Sequence, residues 1–489
     1  MDILPNIPQE SYNHDVIPTK RICVIGAGPA GLAAAKVIAD SPQYRAGSWS
    51  LTVYEERINV GGVWLPAEPI DNPPLTPLYD SLTTNLPHPV MAFTSYSFPP
   101  STPLYPHAAA VQSYLEAYAA HFDLMSLIRL NTMVLKADWD IDALHWKVSI
   151  STGDVLHFDH IVVANGHYRL PRYPDTPGLS KWLSQGKASH SAWYRRPHNL
   201  GDVVMVVGGG PSGQDISAEM RSTAKVVIHA LTGAVREDHE NFKQRGRPIE
   251  FKDGGQVIFE DGTEESGIDH CILATGYEMS FPFLSDSTIR LGHPPPSPPL
   301  PSELFNSSYH VFPLAKHLFP LQINYPPSAL AFMGLLIKVS PFPLLEAQAH
   351  AIVKVFDDPA SIDTTREAID IITRYEELKA KVGNSPLAMA KAWLRFEEHE
   401  QFEYRDEMYE FAAPQPDQAL VRVSEWEREM YHEKGVLRMV WQELEKTGEA
   451  EEWVKGVGEG GIQEWVDLMK RLLKRAKENA VKDDGKSRL

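Results

Sequence analysis

Six glycines fall into two sets of identical spacing, Gly26, Gly28, Gly31 and Gly208, Gly210, Gly213. In such a set the first glycine permits a tight turn and the second lets the backbone approach a pyrophosphate. The third allows a helix to pack closely on the preceding strand. Pro29 and Ala30 complete the first set; Pro211 and Ser212 complete the second, followed by Gln214 and Asp215. Each set would place phosphate at a helix N-terminus, where free N–H groups face it. Glu55 ends an apolar run near the offset of about 20 residues at which an acid holds a ribose hydroxyl pair. Its other reading is a solvated glutamate at a strand end. The matching run after the second set, residues 227–232, reaches Thr232 without an acid, which favours NADP over NAD. Two such seats in one chain point to two nucleotides and to electrons passing between them.

Other chemistries lack their residues. Only Cys23 and Cys271 occur, both inside expected buried strands, so neither a paired redox motif nor a thiolate metal site is available. No Gly-x-Ser-x-Gly elbow follows a strand, and the histidines lack metal-ligand spacing. A net charge of −18 leaves no basic stripe to displace counterions from nucleic acid. Apolar residues make up 43% of the 489-residue chain and charged residues 22%, as in globular proteins. Residues 1–20 are polar with no apolar signal core, and no run approaches the ~18 apolar residues of a membrane span. A reducing, cytoplasmic setting is expected.

The elements that must position these residues are legible from periodicity. Each glycine set follows a continuous apolar run, the mark of a buried parallel strand, and opens a helical pattern. Asp159-His-Ile-Val-Val-Ala-Asn-Gly166 and Asp269-His-Cys-Ile-Leu-Ala-Thr-Gly276 repeat one another as returning core strands. Each follows a turn-rich, β-branched stretch (146–158 and 256–268) expected to form a small antiparallel excursion. Residues 66–107 interrupt the first unit with prolines and aromatics, a composition that favours ordered packing. The proline run 293–301 reads as an extended spacer. Beyond it a strand-like segment precedes a helix starting near residues 341–348. In the charged helical tail Trp465, Met469, Leu472 and Ala476 form one apolar face expected to dock on its own domain.

Several segments together resemble the flavin-containing monooxygenases, class B flavoprotein monooxygenases. They are Glu55-Glu-Arg-Ile-Asn-Val-Gly61-Gly62-Val63-Trp64, Asp80-Ser-Leu-Thr-Thr84-Asn85-Leu86-Pro with Met91 and Ser97-Phe-Pro-Pro100, Asn165-Gly-His-Tyr168, and Ala274-Thr-Gly-Tyr277. Gly186, His190, Tyr194 and Arg195 match that family's signature, with Ser184 where it carries phenylalanine. The resemblance spans about residues 20–350 and is nearest the soluble fungal-type members, which lack a hydrophobic C-terminal anchor. It implies an α/β fold of two Rossmann-like dinucleotide-binding domains plus a helical C-terminal extension. Residues 1–195 would begin the FAD domain, 196–300 would be an inserted NADPH domain, and 301–489 would complete the FAD domain and carry the tail.

The resemblance further implies FAD on Gly26, Gly28, Pro29, Ala30, Gly31 and Glu55, with Gly62, Val63, Trp64, Thr84, Asn85 and Leu86 beside it. It implies NADPH on Gly208, Gly210, Pro211, Ser212, Gly213, Gln214, Asp215 and Thr232. Hydride would pass to the flavin, and oxygen would form a flavin hydroperoxide that oxygenates a soft nitrogen or sulfur nucleophile, as in N,N-dimethylaniline monooxygenase activity. Asn85 is the implied catalytic residue, its carboxamide holding peroxide and coenzyme; read alone, an asparagine before Leu-Pro is a turn residue. His190 would order the interdomain linker, and Gln348 would approach the flavin, cap a helix or sit at the surface. Leu231 stands where animal members hold the extra phosphate of NADPH with arginine, leaving Thr232, His229 or Arg236 to substitute. The implied partners are a small amine or sulfide and molecular oxygen, without nucleic acid, metal or membrane anchor, and a homodimer is allowed. Tyr194 stands where Baeyer–Villiger monooxygenases carry tryptophan, with Trp193 adjacent, so a Baeyer–Villiger or N-hydroxylating enzyme stays open. A non-oxygenating NADPH oxidase or a redox-sensing flavoprotein is the further alternative.

Overall fold

The computed structural model describes residues 20–198, 200–413 and 422–486, with side chains to residue 479. The signal-free reading of residues 1–20 therefore lies outside the described residues, Lys20 excepted. Strand β1 (Lys20–Ile25) runs into helix α1 (Pro29–Asp40) and β2 (Trp49–Tyr54), pairing in parallel with Ile22 opposite Leu51. The proline- and aromatic-rich insertion follows, then helix α2 (Ala108–His121) and the short β3 (Ile128–Arg129). The expected excursion is an antiparallel sheet, β4 (Val134–Asp140), β5 (His145–Ile150) and β6 (Val155–Phe158), before β7 (His160–Val163) returns beside β1.

The second unit starts with β8 (Ala188–His190), followed by β9 (Val203–Val207), α3 (Pro211–Met220) and β10 (Val226–Ala230). Strands β11 (Glu237–His239) and β12 (Phe242–Arg245) extend its sheet. A second antiparallel excursion, β13 (Pro248–Lys252), β14 (Gln256–Phe259) and β15 (Glu264–Glu265), precedes the return strand β16 (His270–Leu273). The sheet order is β11-β12-β10-β9-β16-β8. Its outermost strand, β8, lies upstream of residue 196, and Leu179 and Trp182 already belong to its core. From Met279 onward the buried side chains join the first core again.

The chain completes the first sheet with β17 (Leu330–Phe332), in the order β17-β7-β1-β2-β3. Helix α4 (Pro341–Asp357) packs on α1, and α5 (Glu400–Ala412) packs on α4. Helices α6 (Lys434–Thr447) and α7 (Ile462–Lys486) close the chain and pack on each other. The last four residues of β1 and all of β7 are buried because α1 and the antiparallel excursion β4–β6 cover the parallel sheet. Trp465, Met469 and Leu472 are buried in the first core and Ala476 packs against it, as their spacing predicts.

The expected spacer 293–301 is exposed over much of its length but anchored at several points. Ser297 is buried, Leu300 packs on the core, and Pro294 and Pro296 line a small cavity with Phe312 and Trp393. Proline removes a backbone donor but keeps an apolar ring, so the run can lie against aromatic side chains. Among the described residues no helix is long and apolar enough to cross a membrane.

Candidate functional site

The first glycine set is built by backbone contact. A Cβ on Gly26 would lie 2.6 Å from the Ala164 carbonyl oxygen, and one on Gly31 would lie 1.8 Å from that of Gly26. Gly28, Pro29 and Ala30 form the entry to α1, with no side chain capping it and no acid in its first turn. Its terminal N–H groups are thus left for an anion. Gly62 approaches from the next turn: a Cβ there would sit 2.8 Å from the Gly28 Cα. Gly62, Val63 and Trp64 form a single 3₁₀ turn, and Gln112 of α2 holds the Val60 carbonyl at 2.8 Å behind it. Glu55 is buried at the end of β2 and accepts the Ala27 N–H at 2.7 Å and the Arg57 N–H at 2.9 Å. Burial raises its pKa, and the two N–H groups oppose that shift. It is not a solvated strand-end acid.

The second set repeats this construction. Cβ atoms on Gly208 and Gly213 would clash with the carbonyls of Ala274 and Gly208, at 2.2 and 2.0 Å. Gly210 faces open space, and α3 begins at Pro211 without a side-chain cap. Ser212 is half-buried with no hydrogen bond to its hydroxyl among the described residues; Gln214 reaches the Gly209 carbonyl at 3.4 Å. Thr232 and Arg236 are exposed beyond the end of β10. His229 is not available to a coenzyme phosphate. Its ring is buried, bonded to the Gly208 carbonyl at 2.9 Å and in reach of Ser217, and burial lowers its pKa. Its ring is committed to the backbone of the cradle's own first glycine.

The insertion ties the two seats together. Thr76 donates to the Val63 carbonyl at 2.5 Å, and the Arg195 guanidinium donates to the carbonyls of Thr76 and Ala67. Tyr79 packs with the second unit and donates to Asp215 on α3 at 2.6 Å; burial and that carboxylate hold its phenol well above the usual pKa. Asp215 thus holds the insertion. His190 is fully buried: Nδ1 accepts the Ala192 N–H, so Nε2 carries the proton and donates to the Gly276 carbonyl at 3.0 Å. It ties the end of β8, where the chain enters the second sheet, to the turn after β16, where it leaves. Gln348 is buried too, accepting from Gly334 N–H and donating to the Tyr404 hydroxyl. That excludes a surface role.

Around Asn85 the loop is fixed and the asparagine is not. The Thr84 N–H donates to the Pro106 carbonyl, its hydroxyl donates to the Leu86 carbonyl at 2.8 Å, and Leu86 is buried. Asn85 itself is exposed, and its carboxamide makes no hydrogen bond among the described residues. Asn85 lies in a bend, where the bond to neighbouring backbone that a turn asparagine can make is made instead by Thr84. Sequence reasoning missed Thr76, Tyr79, Gln112 and Arg438, which hold these loops. No motif signals them, because their partners are reached only when the chain folds, from 13 residues away for Thr76 to 354 for Arg438.

The FMO-like family, described as flavin-binding monooxygenase-like, matches residues 19–236 and 240–425. Flavin-containing monooxygenase FMO GS-OX-like 7 of Arabidopsis thaliana is 30% identical over 457 residues, covering 87% of this chain and 88% of its own length. The thiol-specific monooxygenase of Saccharomyces cerevisiae is 31% identical over 361 residues, 71% of this chain and 79% of its own. The structure of S-allyl-L-cysteine S-oxygenase from Allium sativum aligns with a TM-score of 0.70 at 26% identity, covering 95% of this chain and 99% of that one.

Proposed function

The chain belongs to the flavin-binding monooxygenase-like family, and from that membership we propose that it oxygenates soft nucleophiles of small molecules, sulfur compounds before amines. The family uses FAD and NADPH, and both glycine cradles fit a nucleotide: uncapped helix entries without acids, with glycines where a Cβ would intrude. FAD, when bound, supplies the two-electron chemistry that connects NADPH to dioxygen.

The chain's own residues then bind, orient and exclude. Gly26 to Gly31 and Glu55 hold one nucleotide, with Gly62 to Trp64 closing over it. Gly208 to Gly213 hold the other, and Thr232 and Arg236, exposed beyond the end of β10, would take its extra phosphate. The sheets favour a second-cofactor module running from about Leu179 to Leu273, ahead of the 196–300 window at one end and inside it at the other. The observation that carries the oxygenase reading is the unpaired carboxamide of Asn85 on an otherwise fixed loop. A donor and acceptor left free there is suited to hold polar reacting atoms and coenzyme in one arrangement. The preference for sulfur rests on the yeast thiol-specific and Allium S-oxygenase relatives.

The test is a product screen. Yellow purified protein is given NADPH with a thioether, a thiol, a tertiary amine and a cyclic ketone, and products are read by mass. Sulfoxide or oxidised thiol is expected; ring expansion of the ketone alone overturns the reading in favour of Baeyer–Villiger chemistry.

A further inference from the structure

The family match ends at residue 425, yet the chain beyond it touches the Asn85 loop. Arg438, on α6, donates through one guanidinium nitrogen to the Thr84 carbonyl at 2.5 Å. Through the other it donates to the Thr83 hydroxyl at 2.7 Å. The Thr84 carbonyl belongs to the peptide plane that leads into Asn85, so holding that oxygen fixes the plane from which the Asn85 Cα projects. A rigid planar fork with two donors sets orientation as well as distance, which an ammonium cannot do.

The fork itself is held in place. Its guanidinium lies 4.8 Å from the centre of the Tyr105 ring, and the buried Tyr105 donates to the Lys434 carbonyl at 3.2 Å. Lys434 and Arg438 are one helical turn apart, so α6 holds Tyr105 at ring and hydroxyl. Leu437, Val440, Trp441 and Leu444 bury the helix's apolar face. Its neighbour α7 stacks Trp465 edge-on against His88 at 4.3 Å, just past the same loop. Between the helices, the Ser101 N–H donates to the Val457 carbonyl.

We propose that Arg438 is a positioning residue for Asn85, and that the C-terminal extension sets how efficiently this enzyme couples NADPH oxidation to oxygen transfer. The proposal rests on the reading of Asn85 given above. In coupled turnover NADPH, a proton, dioxygen and a thioether give NADP⁺, water and a sulfoxide. In uncoupled turnover NADPH, a proton and dioxygen give NADP⁺ and hydrogen peroxide. A loose Asn85 loop shifts flux from the first to the second.

The experiment compares full-length, flavin-loaded Arg438→Met, Arg438→Lys, Asn85→Ser and the double variant Asn85→Ser/Arg438→Met. Hydrogen–deuterium exchange of peptides covering residues 83–87 reads the loop without reference to turnover. Loss of a charge-assisted hydrogen bond predicts roughly tenfold faster exchange in Arg438→Met. With thioanisole as substrate, hydrogen peroxide released per NADPH oxidised should rise severalfold in Arg438→Met and less in Arg438→Lys. The double variant should leak no more than Asn85→Ser. Unchanged exchange overturns the proposal. So does an unchanged leak in Arg438→Met while Asn85→Ser leaks, or a double variant that leaks more than Asn85→Ser. If Asn85→Ser couples like the wild type, the reading of Asn85 falls and the proposal with it, an outcome the exchange measurement separates from failure of the clamp. Should Arg438→Met not fold, Arg438→Lys and Thr83→Val, each removing one contact, carry the same comparisons.

Discussion

Glu55 shows how much one carboxylate can organise. Its two oxygens accept the backbone N–H groups of Ala27 and Arg57 from within a buried strand end. An ionised carboxylate offers about four acceptor directions, so two remain for a ribose hydroxyl pair. Glu55→Ala leaves both N–H groups short of a partner, at about 1–3 kcal/mol each. The expected result is a lower melting temperature and purified protein with markedly less flavin absorbance per unit protein, with Glu55→Gln less affected. Full flavin content in Glu55→Ala would show that the residue is structural only. The position of Glu55 at a strand end was legible from the apolar run before it. Its bond to Ala27, inside the glycine set, was not, because parallel pairing of β1 with β2 brings the two together. His229 is the converse case: its residue type suited a phosphate, and its bond to the Gly208 carbonyl removed it.

At the scale of elements, the proposed flavin seat lies where two turns meet. Gly62 lies at φ +56, and a Cβ on it would stand 2.8 Å from the Gly28 Cα, backbone against backbone with no flexible end to yield. Gly62→Ala should therefore push the 62–64 turn away from the entry of α1. Overpacking of this kind costs about 1–3 kcal/mol, so weaker FAD retention on gel filtration is expected, with the second cradle untouched. An alanine variant that keeps its flavin through the column would mean that the two turns need not touch. The spacing of the glycine set predicted that a backbone would approach something, but not that its own chain would approach from residue 62. The proline run 293–301 teaches the same lesson in reverse. Composition suggested a spacer, and the aromatic wall of Phe312 and Trp393 gave its rings somewhere to pack.

Across the whole molecule, buried histidines make stability depend on pH. Burial lowers His88 and His310 to about 3, and His160 and His190 to about 4, against an ordinary value of 6.5. The unfolded chain therefore binds more protons than the native one between those values. This contribution is fully present above pH 6.5 and is lost as pH falls toward the folded values, by at most about 1.4 kcal/mol per pH unit for each ring. Urea midpoints should drop steeply between pH 6.5 and 5, and His88→Phe should flatten that slope; an unchanged slope would remove His88 from the account. The sequence by itself determined the two glycine cradles, the parallel strands and returning repeats around them, and the resemblance that led to the family. These are local matters, since turn geometry and side-chain period are written within a few residues of where they act. Only the tertiary structure decided how the insertion and its Asn85 loop are held: Thr76 against Val63, Tyr79 against Asp215, and Arg438 against Thr84. Thr84 and Arg438 are separated by most of the chain, and no periodicity or motif spans a contact that exists only once the helices beyond the family match have packed.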